Sequence, residues 1–483
     1  MQISRFDFAL ILAYLAGVTL FGALFRRGRQ SLRDYFLGGR TAPWWALACS
    51  IVATETSALT LIGTPALAYA GNLGFLQLVA GYLIARVVIC IVLIPQYFQG
   101  EFYTAYQLLE KRFGPRLKRS AAGVFLVTRA LAEGVRISAV GKVVSVAFGT
   151  GERASIAIVL ALTLFYTFEG GMRAVIWTDV LQFALYITGS LAAFFVLLHK
   201  IPGGWPEVAR VAAAAGDKFR VFDFGFSLTR SYTFWSGVLG GTFLTMASHG
   251  TDQTMVQRLL AARNERDSKI ALLASGAIIF AQFALFLVLG VMLFAYARRF
   301  PLLPPGGDPD RIFPVFIVHG LPAGLAGLAL ASIFAVAMSN ASGSLNSLAS
   351  STILDLGKNP APNALNSAPA DALARSRKIT LVWGVVLGAL GLVRWGPVLV
   401  AGLTIASVTY GALLGVFLLG AWNRRANETG ALAGFAAGLV AVLAIKVFTP
   451  IAWTWYVLAG AAITFLVGSL ASIPQPKRMA SSF

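Results

Sequence analysis

Apolar runs about 20 residues long recur along the whole chain, separated by short polar stretches. A run of that length crosses about 30 Å of hydrocarbon as a helix rising 1.5 Å per residue. The pattern predicts spans at 6–25, 43–70, 74–98, 120–148, 153–169, 174–199, 232–256, 270–297, 322–353, 379–395, 397–421, 430–448 and 451–472, thirteen in all. Residues 201–231 and 299–321 then form outer loops, and 355–378 forms an inner loop rich in Ala, Pro and Asn. None is long enough for an enzymatic domain. The opening MQISRFDFALILAYLAGVTLFGALF lacks a basic leader and a small-residue cleavage site, so it reads as a retained span.

Composition agrees. Of 483 residues, 57% are hydrophobic and 12% charged, with a mean hydropathy of +0.75. A soluble domain carries about 25% charged residues. The expected class is therefore an all-α polytopic membrane protein whose large-scale partner is the lipid bilayer.

The net charge of +19 would suggest nucleic acid in a soluble protein. Its distribution argues for membrane topology instead. With the N-terminus outside, 23 of the 39 Lys and Arg residues fall in inner segments and 11 in outer ones. Positive charge collects in cytoplasmic loops, so the bias favours an outer N-terminus, a cytoplasmic C-terminus and an odd number of spans. The expected location is the cell inner (plasma) membrane. Cys49 and Cys90 both fall in apolar spans, which indicates neither a disulfide framework nor a metal cluster.

Charged residues inside spans are expensive and need a partner, a cavity or a task. Here they are Glu55, Arg86, Arg129, Glu133, Arg136, Lys142 and Asp179, with Asp252 near an inner end. Glu133 and Arg136, three residues apart, can pair on one helix face. Lys142 can snorkel outward. In IVATETSALTLIG, residues 51–63, hydroxyls surround Glu55, and Gly63 and Pro65 follow. Such an interruption frees backbone carbonyls, and unwound carbonyls bind coupling cations in transporters. The alternative is hydroxyls that bond back to carbonyls one turn earlier, beside a merely buried acid. In FAVAMSNASGSLNSLASS, residues 334–351, Val336, Ser339, Asn340 and Gly343 can share a helix stripe with Ser342 beside it. That stripe could be ion-binding or helix-packing glue. A hard cation such as sodium prefers oxygen ligands, and the two segments together could supply about five. His199, His249 and His319 are scattered, and no hydrolase motif accompanies them, so an intramembrane enzyme is not expected.

Six segments, in order, resemble the sodium/solute symporters: YFLGGRTAPWWALACSIVATETSA, EFYTAYQLLEKRFG, YTFEGGMRAVIWTDVLQ, GTDQTMVQRLLAARN, AMSNASGSLNSLASS and TYGALLGVFLLG. The resemblance implies a LeuT-like core of two five-helix inverted repeats, each opening with a broken helix. These would be residues 43–200 and 232–421, joined by the outer loop 201–231. Residues 1–42 and 422–483 would be peripheral. It implies no cofactor beyond sodium as the coupling ion, a small-molecule solute, and a monomeric functional unit.

Site residues carry over by similarity. The carbonyls of Ala53, Thr56 and Val336 and the side chain of Ser339 would bind sodium. Asn340 stands where the family has Ser or Thr, and its amide oxygen can still ligate. Asp179 and Ser342 match a second sodium site found in some members, but Gly343 replaces another of its serines, so Asp179 could serve as a gate instead. Glu55 falls where some members carry an aspartate important for coupling. Thr54, Ser57 and Thr60 are the expected substrate-facing hydroxyls, with Gln77, Tyr82 and Asp252 as further candidates.

TSALTLIGTPALAYAG resembles most the branch carrying monocarboxylates, vitamins and halides. Arg129 lies near the position where the sialic-acid carriers of the family place a carboxylate-binding arginine, and a guanidinium grips a carboxylate bidentately. Arg86 is a second candidate. A small organic anion is thus the favoured solute. A neutral sugar, amino acid or nucleoside stays open, as does proton coupling through Glu55. A membrane sensor or transceptor is the alternative of another class.

Overall fold

The stretch from Pro43 to Ala70 forms two helices. The computed structural model describes residues 3–24, 38–99, 105–158, 172–354, 356 and 370–472. In it α1 spans Arg5–Leu24, α2 Trp44–Glu55 and α3 Ala58–Ala70, with α2 and α3 bent by 65°. The cause is local. Thr56 and Ser57 are extended, with ψ of 113° and 178°. Ser57 Oγ accepts from the amide of Leu59, and Thr60 Oγ1 accepts from the amide of Ser57, which makes a capping box. Short hydroxyl side chains compete with the helix ladder in this way. Gly63 and Pro65, expected to mark the interruption, lie inside α3 instead. Their neighbourhood is about packing: a Cβ on Gly63 would come within 2.6 Å of Leu399 Cβ.

The chain continues through α4 (Leu76–Val92), α5 (Ile94–Phe98), α6 (Ala105–Arg112), α7 (Pro115–Phe148), α8 (Met172–Lys200) and α9 (Gly204–Ala214). A second break follows α10 (Phe234–Gly250), where Asp252 caps α11 (Gln253–Leu260) by accepting from the amide of Thr254 at 2.8 Å. Then come α12 (Glu265–Ala297), α13 (Ile312–Gly320), α14 (Leu325–Leu354), α15 (Ala370–Gly391), α16 (Val398–Trp422), α17 (Glu428–Phe448) and α18 (Tyr456–Leu470). Among the described residues, six helices are long and apolar enough to cross a membrane, and the bent pair adds a seventh. The expected count of thirteen is not confirmed. The expected span 153–169 lies mostly outside the described residues.

Two contacts position the core. The backbones of α4 and α10 cross at Gly81, Gly237 and Gly241; a Cβ on Gly241 would lie 2.1 Å from the Leu78 carbonyl. Small residues permit such close approach. At the start of α14, Asp7 of α1 accepts from the amides of Gly324 and Gly327 at 2.7 and 2.8 Å. Helix N-termini leave these amides unpaired, and an anion suits them. Lys142 does not snorkel as expected: its ammonium lies 2.7 Å from both Asp308 and Asp310, which pins the loop before α13 to α7.

Candidate functional site

The bend between α2 and α3 redirects the amides that would have closed the helix. The amide of Ser57 goes to Thr60 Oγ1, that of Leu59 to Ser57 Oγ, and that of Thr60 to the Ser57 carbonyl. In an unbroken helix these three would serve the carbonyls of Ala53, Glu55 and Thr56. Two of those three are the carbonyls expected to bind sodium. The Thr56 side chain is buried elsewhere and accepts from Gln282 Nε2 at 2.7 Å. Thr54 Oγ1 bonds back to the Ser50 carbonyl at 2.7 Å, so for this one hydroxyl the alternative reading also holds.

Beside the bend is a cavity of about 170 Å³. Thr54, Glu55, Ser57, Thr60, Tyr82, Arg129, Asp252 and Asn340 all line it, as do Phe75, Phe283 and Tyr410. Residues from α2, α3, α4, α7, α11's cap and α14, over 280 positions apart, thus share one chamber. Gln77 is an exception among the expected solute-facing residues. Its amide nitrogen donates to the carbonyls of Gly74 and Tyr232, its oxygen accepts from the amide of Asp223, and it does not line the cavity. It fastens the outer loop to α4.

Glu55 carries its own counter-charge. Arg86 Nη2 lies 2.6 Å from Glu55 Oε2, and His249 Nε2 lies 3.3 Å from the same oxygen. Arg86 also donates to Ser275 Oγ and the Tyr82 carbonyl, and Ser248 Oγ lies 2.9 Å from His249 Nδ1. Arg86 is fully buried and does not line the cavity, so it is not the second anion-gripping residue that its position suggested. His249 is a site residue that sequence reasoning missed; a lone histidine near the end of a span gave little signal.

The pair expected between Glu133 and Arg136 is present at 3.0 Å. Arg129 donates through Nε to Ser344 Oγ at 2.9 Å, and that hydroxyl lies 2.7 Å from Glu133 Oε2. Arg129 has no ion-pair partner among the described residues.

Asp179 stands apart from the cavity. Its Oδ2 accepts from Ser50 Oγ at 2.6 Å and from Arg258 Nη2 at 3.0 Å, and Arg258 Nε donates to Ser50 Oγ. A guanidinium therefore already pairs with the carboxylate expected to serve a second sodium or a gate, and the arrangement joins α2, α8 and α11. Val336 and Asn340 lie along α14, and Asn340 Nδ2 is buried without a hydrogen-bond partner. A half-turn of the amide exchanges Nδ2 and Oδ1, so Oδ1 can take that position. The side chains of Ser339 and Ser342 lie outside the described residues.

The family model for sodium:solute symporters matches residues 35–438. The human sodium/iodide cotransporter is 32% identical over 89% of this chain and 68% of its own length. A sodium/sialic acid symporter of Proteus mirabilis is 28% identical over 97% of this chain and 96% of its own. Among solved structures, a substrate-bound, outward-open sodium-coupled sialic acid symporter superposes with a TM-score of 0.85 at 28% identity, covering 97% of this chain and 98% of its own. That likeness extends the resemblance from motifs to the whole LeuT-like fold.

Proposed function

The chain belongs to the sodium:solute symporter family, and from that premise we propose that it imports a small organic carboxylate with sodium by alternating access around the cavity beside the α2–α3 bend. The observation that carries this reading is the pair of carbonyls, Ala53 and Thr56, left without their helix amides by the capping box. With the Val336 carbonyl, Ser339 Oγ and Asn340 Oδ1, which the resemblance implies as further ligands, they would make five oxygens, a number that suits a hard cation. Arg129 offers its terminal nitrogens to the carboxylate, and Thr54, Ser57, Thr60 and Tyr82 offer hydroxyls around it. A cavity near 150 Å³ holds benzene, so about 170 Å³ suits a solute of roughly six to ten non-hydrogen atoms.

In this reading the N-terminus is outside, the C-terminus is cytoplasmic, and one chain is the working unit. Asp179, held by Arg258, acts as an inner gate. Proton coupling through Glu55 fits less well, because Arg86 already neutralises that carboxylate from behind.

Equilibrium binding of radioactive sodium to the purified protein, wild type beside Ser339→Ala, tests the ion site without any solute. Saturable binding that the variant loses supports it, and a stoichiometry of one fits the Asp179–Arg258 pair. Absence of binding at physiological sodium overturns sodium coupling. Equal binding in both proteins overturns the Ser339 assignment.

A further inference from the structure

Four ionisable side chains that carry full charges line the cavity: Glu55, Arg129, Arg136 and Asp252. Two are neutralised by residues of the protein. Glu55 has Arg86 at 2.6 Å, and Arg136 has Glu133 at 3.0 Å. The other two, Arg129 and Asp252, are opposite in sign, and neither has an ion-pair partner among the described residues. Among the described residues Arg129 hydrogen-bonds the hydroxyl of Ser344, and Glu133 and Asp252 act on it at longer range without an ion-pair contact. Asp252 is 5% exposed; its Oδ1 accepts from the Thr254 amide and its Oδ2 from the Tyr410 hydroxyl at 3.0 Å. Each carboxylate oxygen can accept twice, so Asp252 keeps capacity for a donor from the cavity. Neutral donors solvate a buried charge but do not cancel it.

A plain carboxylate entering this chamber would pair with Arg129, offset the charge that Arg129 presents to Asp252 and leave Asp252 with neutral donors alone. A solute with a positive nitrogen as well would answer both charges. We infer that the solute is a zwitterion, with a carboxylate for Arg129 and a cationic nitrogen for Asp252, as in amino acids and betaines. The inference rests on the carboxylate reading above. Phe75, Tyr82, Phe283 and Tyr410 line the same chamber, and aromatic faces attract ammonium groups, quaternary ones included. A zwitterion has no net charge, so each sodium would carry its full charge inward and draw on the membrane potential. One sodium gains about 2.3 kcal/mol per 100 mV. With a monoanion that term vanishes.

The test is calorimetric titration of the purified protein in sodium buffer with two matched pairs: alanine beside propionate, and glycine betaine beside 3,3-dimethylbutanoate. The members of each pair differ chiefly in the charged nitrogen. At least one zwitterion should bind about tenfold or more tighter than its partner. Asp252→Asn should shrink that ratio below about threefold, chiefly by weakening the zwitterion. Asparagine caps a helix as well as aspartate does, and its Nδ2 can donate to the Tyr410 hydroxyl oxygen in place of the acceptor lost there, so this variant should fold. Arg129→Ala should weaken both members of the pair. An anion that binds as tightly as its zwitterion overturns the inference and leaves the carboxylate reading standing. Binding by neither member of either pair overturns both. Loss of a bound sodium in Asp252→Asn, with the ratio unchanged, assigns Asp252 to the ion and overturns the inference as well.

Discussion

Glu55 shows what a single residue can and cannot reveal. Its presence in an apolar span marks it as special, because an unpaired charge there is costly. Its partners are not visible in the sequence, since Arg86 is 31 positions away and His249 lies on α10. The structure makes it one member of a buried cluster with Arg86 beneath it. Removing one member of a buried pair leaves the other uncompensated, at a cost of about 3–5 kcal/mol. Arg86→Ala should therefore lower the unfolding midpoint in detergent sharply. The double variant Glu55→Gln/Arg86→Gln should recover most of the loss, and equal losses in single and double variants would show that the two do not act together. Gln77 went the other way. A polar residue on the neighbouring span looked solute-facing, but its amide bonds to Gly74, Tyr232 and Asp223 and ties α4 to the outer loop. Polarity in a span signals a task without saying which one.

Breaks and crossings belong to the scale of elements. That the first core span is interrupted was legible, but its cause was misplaced. Glycine and proline at 63 and 65 are the residues that usually break helices, yet the break is made by Ser57 and Thr60 capping α3. The capping-box spacing was in the sequence all along; it was masked by a more familiar signal nearby. The α4–α10 crossing was not legible, since three glycines in apolar runs do not announce which helix they meet. Gly241→Leu would drive a side chain into the Leu78 carbonyl, 2.1 Å from where its Cβ must stand. It should reduce the folded yield severely, whereas Gly216→Ala in the outer loop, with open space around it but a φ of 88°, should cost only about 1 kcal/mol. Comparable losses for the two would mean that the crossing is looser than described. Asp7 joins α1 to the start of α14 in the same way. Asp7→Ala leaves two amides unpaired, one buried and one partly so, and should destabilise by about 1–3 kcal/mol, read as a lowered midpoint with sodium affinity retained. A loss of sodium binding at full stability would instead make α1 part of the transport core.

At the scale of the whole molecule, the order of six motifs was enough to place the chain among the symporters, because motif order reflects topology. What it could not show is which contacts hold one face shut. Asp179, Ser50 and Arg258 join α8, α2 and α11 through one carboxylate oxygen, one hydroxyl and one guanidinium. In the proposed topology these ends of α2 and α11 face the cytoplasm, which would place the triad to lock that side. A charge-assisted hydrogen bond is worth about 1.5–3 kcal/mol, and about 1.4 kcal/mol shifts a two-state equilibrium tenfold. Losing the carboxylate should therefore raise the inward-open population about tenfold or more. The chain carries its own reporter: Cys49 precedes Ser50 and is partly accessible, whereas Cys90 is buried. In inside-out vesicles carrying Cys90→Ser, Asp179→Asn should speed labelling of Cys49 by a membrane-impermeant maleimide about tenfold, and external sodium should slow it again by favouring the closed inner face. If Asp179→Asn labels at the wild-type rate, the triad is a fixed strut and the inner gate lies elsewhere. If labelling rises but sodium leaves it unchanged, the triad does lock the inner face but is uncoupled from the ion at the α2–α3 bend.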